Sequence, residues 1–352
     1  MTSISRASSA SVTAMVPHTG AAPLLHGGDV AAARRLFPAA PEPFIDLSTG
    51  INPHSYPLPQ LPSELFARLP ERAALDGLAA AAAQAYGAPS ADHVVPAPGT
   101  QILLPLVAAL VPPGRAVVLG PTYSEHVRVA ALVGHRTREV MAMDDLAGAD
   151  FAVVANPNNP DGRIIARADL IARAAEVRSR GGILVVDEAF MDVGPAGESL
   201  GRDVGLGNIV VLRSFGKFFG LAGLRLGFAL AAPGAAARLR ASLGPWAVSG
   251  AAIAVGAAAL TDRSWKEAAR AQLAHEAQRL DELLAGHRLD IVGGTPLFRL
   301  VRTQAASELF HHLGRAGILV RRFDEQPAWL RFGLPPGEQA WIRLRTALAS
   351  FA

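Results

Sequence analysis

Between residues 73 and 230 the chain alternates Ala-rich stretches of helical texture with short apolar runs. The helical stretches are Ala73 to Tyr86, Gln101 to Leu110 and Glu125 to Val133. The runs are His93-Val-Val-Pro96, Ala116-Val-Val-Leu119, Phe151-Ala-Val-Val154, Gly182-Ile-Leu-Val-Val186, Asn208-Ile-Val-Val-Leu212 and Leu226-Gly-Phe-Ala-Leu230. Strands covered on both faces read as unbroken apolar runs, and the helices between them supply the cover. The pattern predicts a large α/β domain with a mostly parallel mixed sheet flanked by helices. After about residue 245 the texture changes. A long amphipathic helix, Trp265 to Leu284, precedes strand-like runs at Leu289 to Val292, Leu297 to Val301, Ile318 to Arg321 and Trp329 to Phe332. Ser307 to Ala316 and a stretch from Glu338 read as helices, which together predict a small α+β C-terminal domain. Trp246 to Leu260, rich in Ala and Gly, reads as a buried helix. The expected organisation is a flexible arm over 1–25, an N-terminal segment over 26–72 that contributes to the site and the small domain, a large domain over 73–245, and connecting helices with the small domain over 246–352.

Half the residues are hydrophobic and 18% are charged, which excludes wholesale disorder. No apolar stretch reaches the roughly 18–20 residues of a membrane span. With no cysteine there is neither a disulfide nor a thiolate nucleophile, which fits a cytoplasmic protein. The sequence pI of 9.8 resembles a nucleic-acid signal, yet the net charge is only +3. Of the 33 basic residues only Lys217 and Lys266 are lysines. Arginine cannot serve as a neutral amine, so a retained lysine is a candidate for chemistry. Lys266 fits the first turn of a surface helix. Lys217, in Arg213-Ser-Phe-Gly-Lys-Phe-Phe-Gly220, has no such plain role.

In a doubly wound sheet, functional groups gather at the carboxyl ends of the strands. Three runs end on polar groups: Phe151 to Val154 on Ala155-Asn-Pro-Asn-Asn-Pro-Asp-Gly162, Ile183 to Val186 on Asp187-Glu188, and Ile209 to Leu212 on the segment reaching Lys217. Asn159, Asp187 and Lys217 are spaced about one βα unit apart, so an amide, a carboxylate and an amine should meet at one sheet edge. Pro98-Gly-Thr-Gln101, opening an apolar helix, suits an anion. Taken singly, the Asn-Pro stretch also reads as a rigid turn and Asp187 as a helix cap.

In this order and spacing, with Gly223-Leu-Arg225-Leu-Gly227 following, the motifs resemble the fold-type I pyridoxal-phosphate enzymes of the aminotransferase class I/II family. The resemblance covers roughly residues 44–350. It implies pyridoxal 5'-phosphate as cofactor and assigns the residues as follows. Lys217 would bond to the cofactor aldehyde, Asp187 would keep the pyridine nitrogen protonated, and Asn159 would donate to the phenolate oxygen. Tyr123 would stack on the ring. Ser214, Arg225 and the amides of Thr100 and Gln101 would hold the phosphate. Arg331, in Trp329-Leu-Arg-Phe, would bind a substrate α-carboxylate. A carboxylate beside the pyridine nitrogen favours the protonated ring, which best delocalises a carbanion, and an Arg fork suits carboxylate or phosphate. Apolar surroundings such as Phe215, Phe218 and Phe219, or a nearby cation, would favour the free amine of Lys217.

Within that family, Leu25-His-Gly-Gly-Asp29 followed by Phe44-Ile-Asp-Leu-Ser-Thr-Gly-Ile-Asn-Pro53 is similar to a branch that decarboxylates a phosphorylated amino acid. Asp187-Glu-Ala-Phe190 is similar to it too, since transaminating relatives usually carry Tyr where Phe190 stands. His26 and Asn52 would then touch the substrate, along with Asn159. Three positions depart from the family: Gly216 lacks the usual hydroxyl, Leu69 replaces a Tyr that reaches the partner subunit, and Asp161 replaces a Thr. The resemblance implies a homodimer acting on a small phosphorylated amino acid, with no nucleic-acid or membrane partner and no metal. The nearest rival is a histidinol-phosphate-type aminotransferase. A DNA-binding regulator would need a helix-turn-helix ahead of residue 44, and a Rossmann dehydrogenase a Gly-x-Gly-x-x-Gly that Gly220-Leu-Ala-Gly223 does not supply.

Overall fold

The structure, a computed structural model, describes residues 27–351. The arm over 1–25 and His26 lie outside them. Two sheets organise the chain. The larger takes seven strands: β2 (Val94–Ala97), β3 (Arg115–Leu119), β4 (Arg136–Val140), β5 (Phe151–Ala155), β6 (Ile183–Asp187), β7 (Ile209–Ser214) and β8 (Gly227–Leu230), in the order β2-β8-β7-β6-β5-β3-β4. From β7 to β4 all neighbours are parallel, while β8 runs antiparallel to both β7 and β2. Every residue of β2, β5 and β8 is buried, as expected of strands sandwiched between helices.

The smaller sheet takes β1 (Ile45–Leu47), β9 (Asp290–Thr295), β10 (Phe298–Arg302), β11 (Ile318–Arg322) and β12 (Trp329–Gly333), in the order β1-β11-β12-β10-β9. β1 pairs parallel with β11, and the other pairs are antiparallel. A 24-residue helix, Arg263–Gly286, leads into this sheet. The helices Ala306–Arg315 and Gly337–Ala349 complete the unit.

Three local expectations are corrected. β4 was missed because its sequence, Arg-Thr-Arg-Glu-Val, is polar and only Val140 is buried, as befits a sheet edge. β1 was read only as part of a motif. The helix after residue 245 starts at Gly250, with Ser249 accepting from the Ala252 N–H, whereas Trp246 has a positive φ of 59° and is 57% exposed. Among the described residues no helix is long and apolar enough to cross a membrane, and no cluster of His, Cys, Asp or Glu could hold a metal.

Candidate active site

β5, β6 and β7 lie side by side and parallel, so the Asn-Pro loop, Asp187 and the segment leading to Lys217 emerge at one edge of the large sheet. After β7 the chain makes a single helical turn, Phe215–Phe218, with Ser214 at its start. So short a helix cannot satisfy its own carbonyls. Residues 52–56 do it instead. The Asn52 N–H donates to the Lys217 carbonyl (2.9 Å), its Nδ2 to that of Phe218 (2.8 Å), the Tyr56 N–H to that of Phe219 (2.9 Å), and the Ser55 hydroxyl to that of Gly220 (2.8 Å). Asn52 Oδ1 accepts from the His54 N–H (2.8 Å). Asn52, expected on the substrate, is therefore a fastener: its side chain is committed to backbone and holds the turn that carries Lys217.

Lys217 is partly buried, its amine 5.8 Å from the centre of the Phe190 ring. Burial first, then the charges of Arg331 and Arg225, lower its pKa to about 8, with Asp187 and Asp46 opposing. The ring beside the amine is Phe190. Phe215, Phe218 and Phe219 instead pack among themselves and on Trp265, which fixes the turn.

Asp187 is anchored on both oxygens. Oδ1 accepts from the Ala189 N–H (3.0 Å), and Oδ2 lies 3.0 Å from Nε2 of His126, a buried residue on the helix Glu125–Leu132. The His126 ring meets that of Tyr123 edge-on at 5.7 Å. Tyr123 donates to Gln101 Oε1 (3.2 Å), and its phenol is pushed up to about 12, chiefly by burial and then by the Glu125 and Asp187 charges.

The helix Thr100–Ala108 starts beside Gly99, at φ 88°. A Cβ there would lie 2.9 Å from Arg225 Nη2, so the missing side chain leaves the guanidinium against the helix N-terminus. Gly227 gives similar clearance: its Cβ would lie 2.7 Å from the Thr100 nitrogen. The free N–H groups of the first turn and the Arg225 cation make an anion cradle. The departures now have local reasons. A Cβ on Gly216 would lie 2.7 Å from Ala222 Cα, so a hydroxyl residue does not fit. Asp161 Oδ1 accepts from Asn158 Nδ2 (2.8 Å) and the Arg163 N–H (3.0 Å), closing the Asn-Pro loop. Leu69 is 65% exposed.

Arg331 reaches the same place from β12. It is buried, donating through Nη1 to Asn159 Oδ1 and through Nη2 to the Ser48 carbonyl (2.7 Å), with Phe298 under its face at 5.0 Å. Its bond to Asn159 Oδ1 turns the Asn159 amide nitrogen the other way. Arg321 on β11 is directly opposite Arg331. Burial lowers both arginines' pKa values, and for Arg331 the Arg321 charge adds to it; guanidinium groups nonetheless remain charged. Like charges directly opposite one another destabilise a sheet, and the Asp324 charge offsets that of Arg321. Reading along the chain missed Arg321, His126, Asp46 and Ser48. Only the pairing of β11 with β12 could have drawn attention to Arg321.

The chain belongs to the aminotransferase class I and II family, whose model matches residues 45–343. Within it, the chain is 43% identical over 330 residues to a threonine-phosphate decarboxylase of Sinorhizobium sp, covering 93% of this chain and 98% of the relative. It is equally 43% identical over 331 residues to one of Pseudomonas aeruginosa, with the same coverage. The solved histidinol-phosphate aminotransferase of Sinorhizobium meliloti in complex with pyridoxal-5'-phosphate shares the fold, with a TM-score of 0.74, 22% identity and 96% of each chain covered.

Proposed function

We propose that this chain is a pyridoxal-phosphate-dependent carboxy-lyase, a threonine-phosphate decarboxylase. It converts L-threonine O-3-phosphate to (R)-1-amino-2-propanol O-2-phosphate and carbon dioxide in cobalamin biosynthesis. The observation that carries the reading is 43% identity, nearly end to end, to two proteins of that name. On this reading it works as a homodimer in the cytoplasm. Support for the dimer comes from Leu58, Phe66 and Leu69, each more than 60% exposed within one short stretch.

The residues fit the cofactor. The cradle left open at Gly99 would accept its phosphate, with Ser214 and Arg225 contributing to the hold. Tyr123 would flank the ring, and the Asn159 amide nitrogen, turned away from Arg331, would donate to the phenolate oxygen. Asp187, fixed by His126, would hold a proton on the pyridine nitrogen. When bound, pyridoxal phosphate supplies an electron sink for the Cα bond that breaks. Lys217, with a pKa near 8, carries and releases the cofactor and moves a proton at the substrate Cα. Arg331 grips the α-carboxylate and Arg321 presents a second cation to a doubly anionic substrate. Holding the substrate at both ends would fix the direction of its α-carboxylate and so select which Cα bond breaks. Phe190 lines the amine with an apolar edge where a hydroxyl would stand in a transaminating relative.

The test is a paired assay on purified protein with added cofactor. Carbon dioxide released from L-threonine O-3-phosphate supports the reading. Glutamate formation from 2-oxoglutarate with histidinol phosphate as amino donor, without carbon dioxide release from threonine phosphate, assigns the chain to the aminotransferases.

A further inference from the structure

Ser48 follows β1 and is only 2% exposed, yet it uses every polar atom it has. Its hydroxyl donates to Asp46 Oδ1 (2.5 Å) and accepts from the Gly28 N–H (2.8 Å). Its own N–H donates to the same Asp46 oxygen (2.8 Å), and its carbonyl accepts from Arg331 Nη2 (2.7 Å). The chain passes so close that a Cβ on Gly27 would lie 2.5 Å from the Ser48 carbonyl oxygen. One residue therefore joins the Gly27–Gly28 segment, a carboxylate and the buried guanidinium.

The chemistry of that junction goes beyond packing. An arginine presents a carboxylate fork only if its plane is held, and Arg331 is held at two points: the Asn159 oxygen and the Ser48 carbonyl. Asn159 is a side chain on a loop of the large-sheet half. The Ser48 carbonyl is backbone, and its direction is set by the two hydrogen bonds that pin the residue to Asp46. The hydroxyl completes the hold by accepting from the Gly28 N–H.

We propose that Ser48 is a positioning residue for substrate binding: its hydroxyl, locked between Asp46 and Gly28, aims its own carbonyl and thereby fixes the plane of the Arg331 fork. The inference rests on the reading of Arg331 as the group that grips the substrate carboxylate.

The test is a double-mutant cycle of Ser48→Ala with Arg331→Gln, read in two ways: KM against kcat, and the thermal stabilisation that L-threonine O-3-phosphate gives the cofactor-loaded protein, which follows its affinity without turnover. Ser48→Ala raises KM about tenfold, loses most of the substrate-induced stabilisation, and leaves cofactor absorbance and loading as in the wild type. In the Arg331→Gln background it adds nothing further. Ser48→Cys, which keeps the volume but hydrogen-bonds weakly, repeats the shift and serves if the alanine variant does not fold. Wild-type KM in both Ser48 variants, or a penalty that simply adds to that of Arg331→Gln, overturns the proposal. If Arg331→Gln alone leaves KM unchanged, it is the reading of Arg331 that fails.

Discussion

An amine that attacks must first lose its proton, and at Lys217 burial and two neighbouring arginines lower that cost. Because the pKa of the folded protein is about 8, cofactor-free protein should capture pyridoxal phosphate at a rate that rises with pH up to about 8 and then levels. An ordinary lysine would keep gaining up to about 10.4. Borohydride trapping as a function of pH reads this directly, and the label belongs on the peptide containing Lys217. The same shift affects stability. The folded state disfavours the charged amine, so between pH 8 and about 10.4 the unfolded chain binds more protons and stability of the cofactor-free protein rises with pH. Asp187→Asn should keep fold and cofactor but lose most turnover, since an amide does not hold the ring nitrogen protonated. His126→Phe should cost less, about ten- to a hundredfold in kcat, the equivalent of one charge-assisted hydrogen bond of about 1.5–3 kcal/mol. Near-wild-type kcat in Asp187→Asn would contradict the assignment. The convergence of Lys217, Asp187 and Asn159 on one sheet edge is legible in the sequence because each lies at or beyond the end of one of three neighbouring parallel strands. The structural part of Asn52 is invisible along the chain for a physical reason: its side-chain amide donates to the Phe218 carbonyl 166 positions away, and nothing local signals that bond.

Apolar runs identified six of the seven strands of the large sheet, since strands covered on both faces have no polar positions to blur them. β4 escaped because an edge strand shows polar side chains to water. β1 escaped because it is three residues long and its partner, β11, lies near the other end of the chain. The single turn after β7 is where an element and a family departure meet. Restoring a hydroxyl with Gly216→Ser should not add a phosphate contact. With Ala222 Cα only 2.7 Å from the new Cβ, it should cost about 1–3 kcal/mol of stability by overpacking. A lowered urea midpoint, with cofactor retained less tightly, is the expected result. An unchanged midpoint with tighter cofactor binding would show that the turn has room.

At the scale of the whole molecule, the small sheet brings Arg331 and Arg321 to the edge of the large one, so neither unit alone carries a complete site. The expected dimer depends on the exposed stretch around Phe66. Phe66→Asp should shift the protein from dimer to monomer in sedimentation, and a dimer of unchanged affinity would place the interface elsewhere. The claim on which all of this turns is the identity of the bond that breaks. Proton NMR of the reaction of L-threonine O-3-phosphate in deuterium oxide follows it directly. The account predicts loss of the substrate Cα signal together with appearance of 1-amino-2-propanol O-2-phosphate carrying a single deuterium at C1. Deuterium entering the Cα of threonine phosphate that keeps its carboxylate would show that the Cα–H bond is broken instead, and would contradict it.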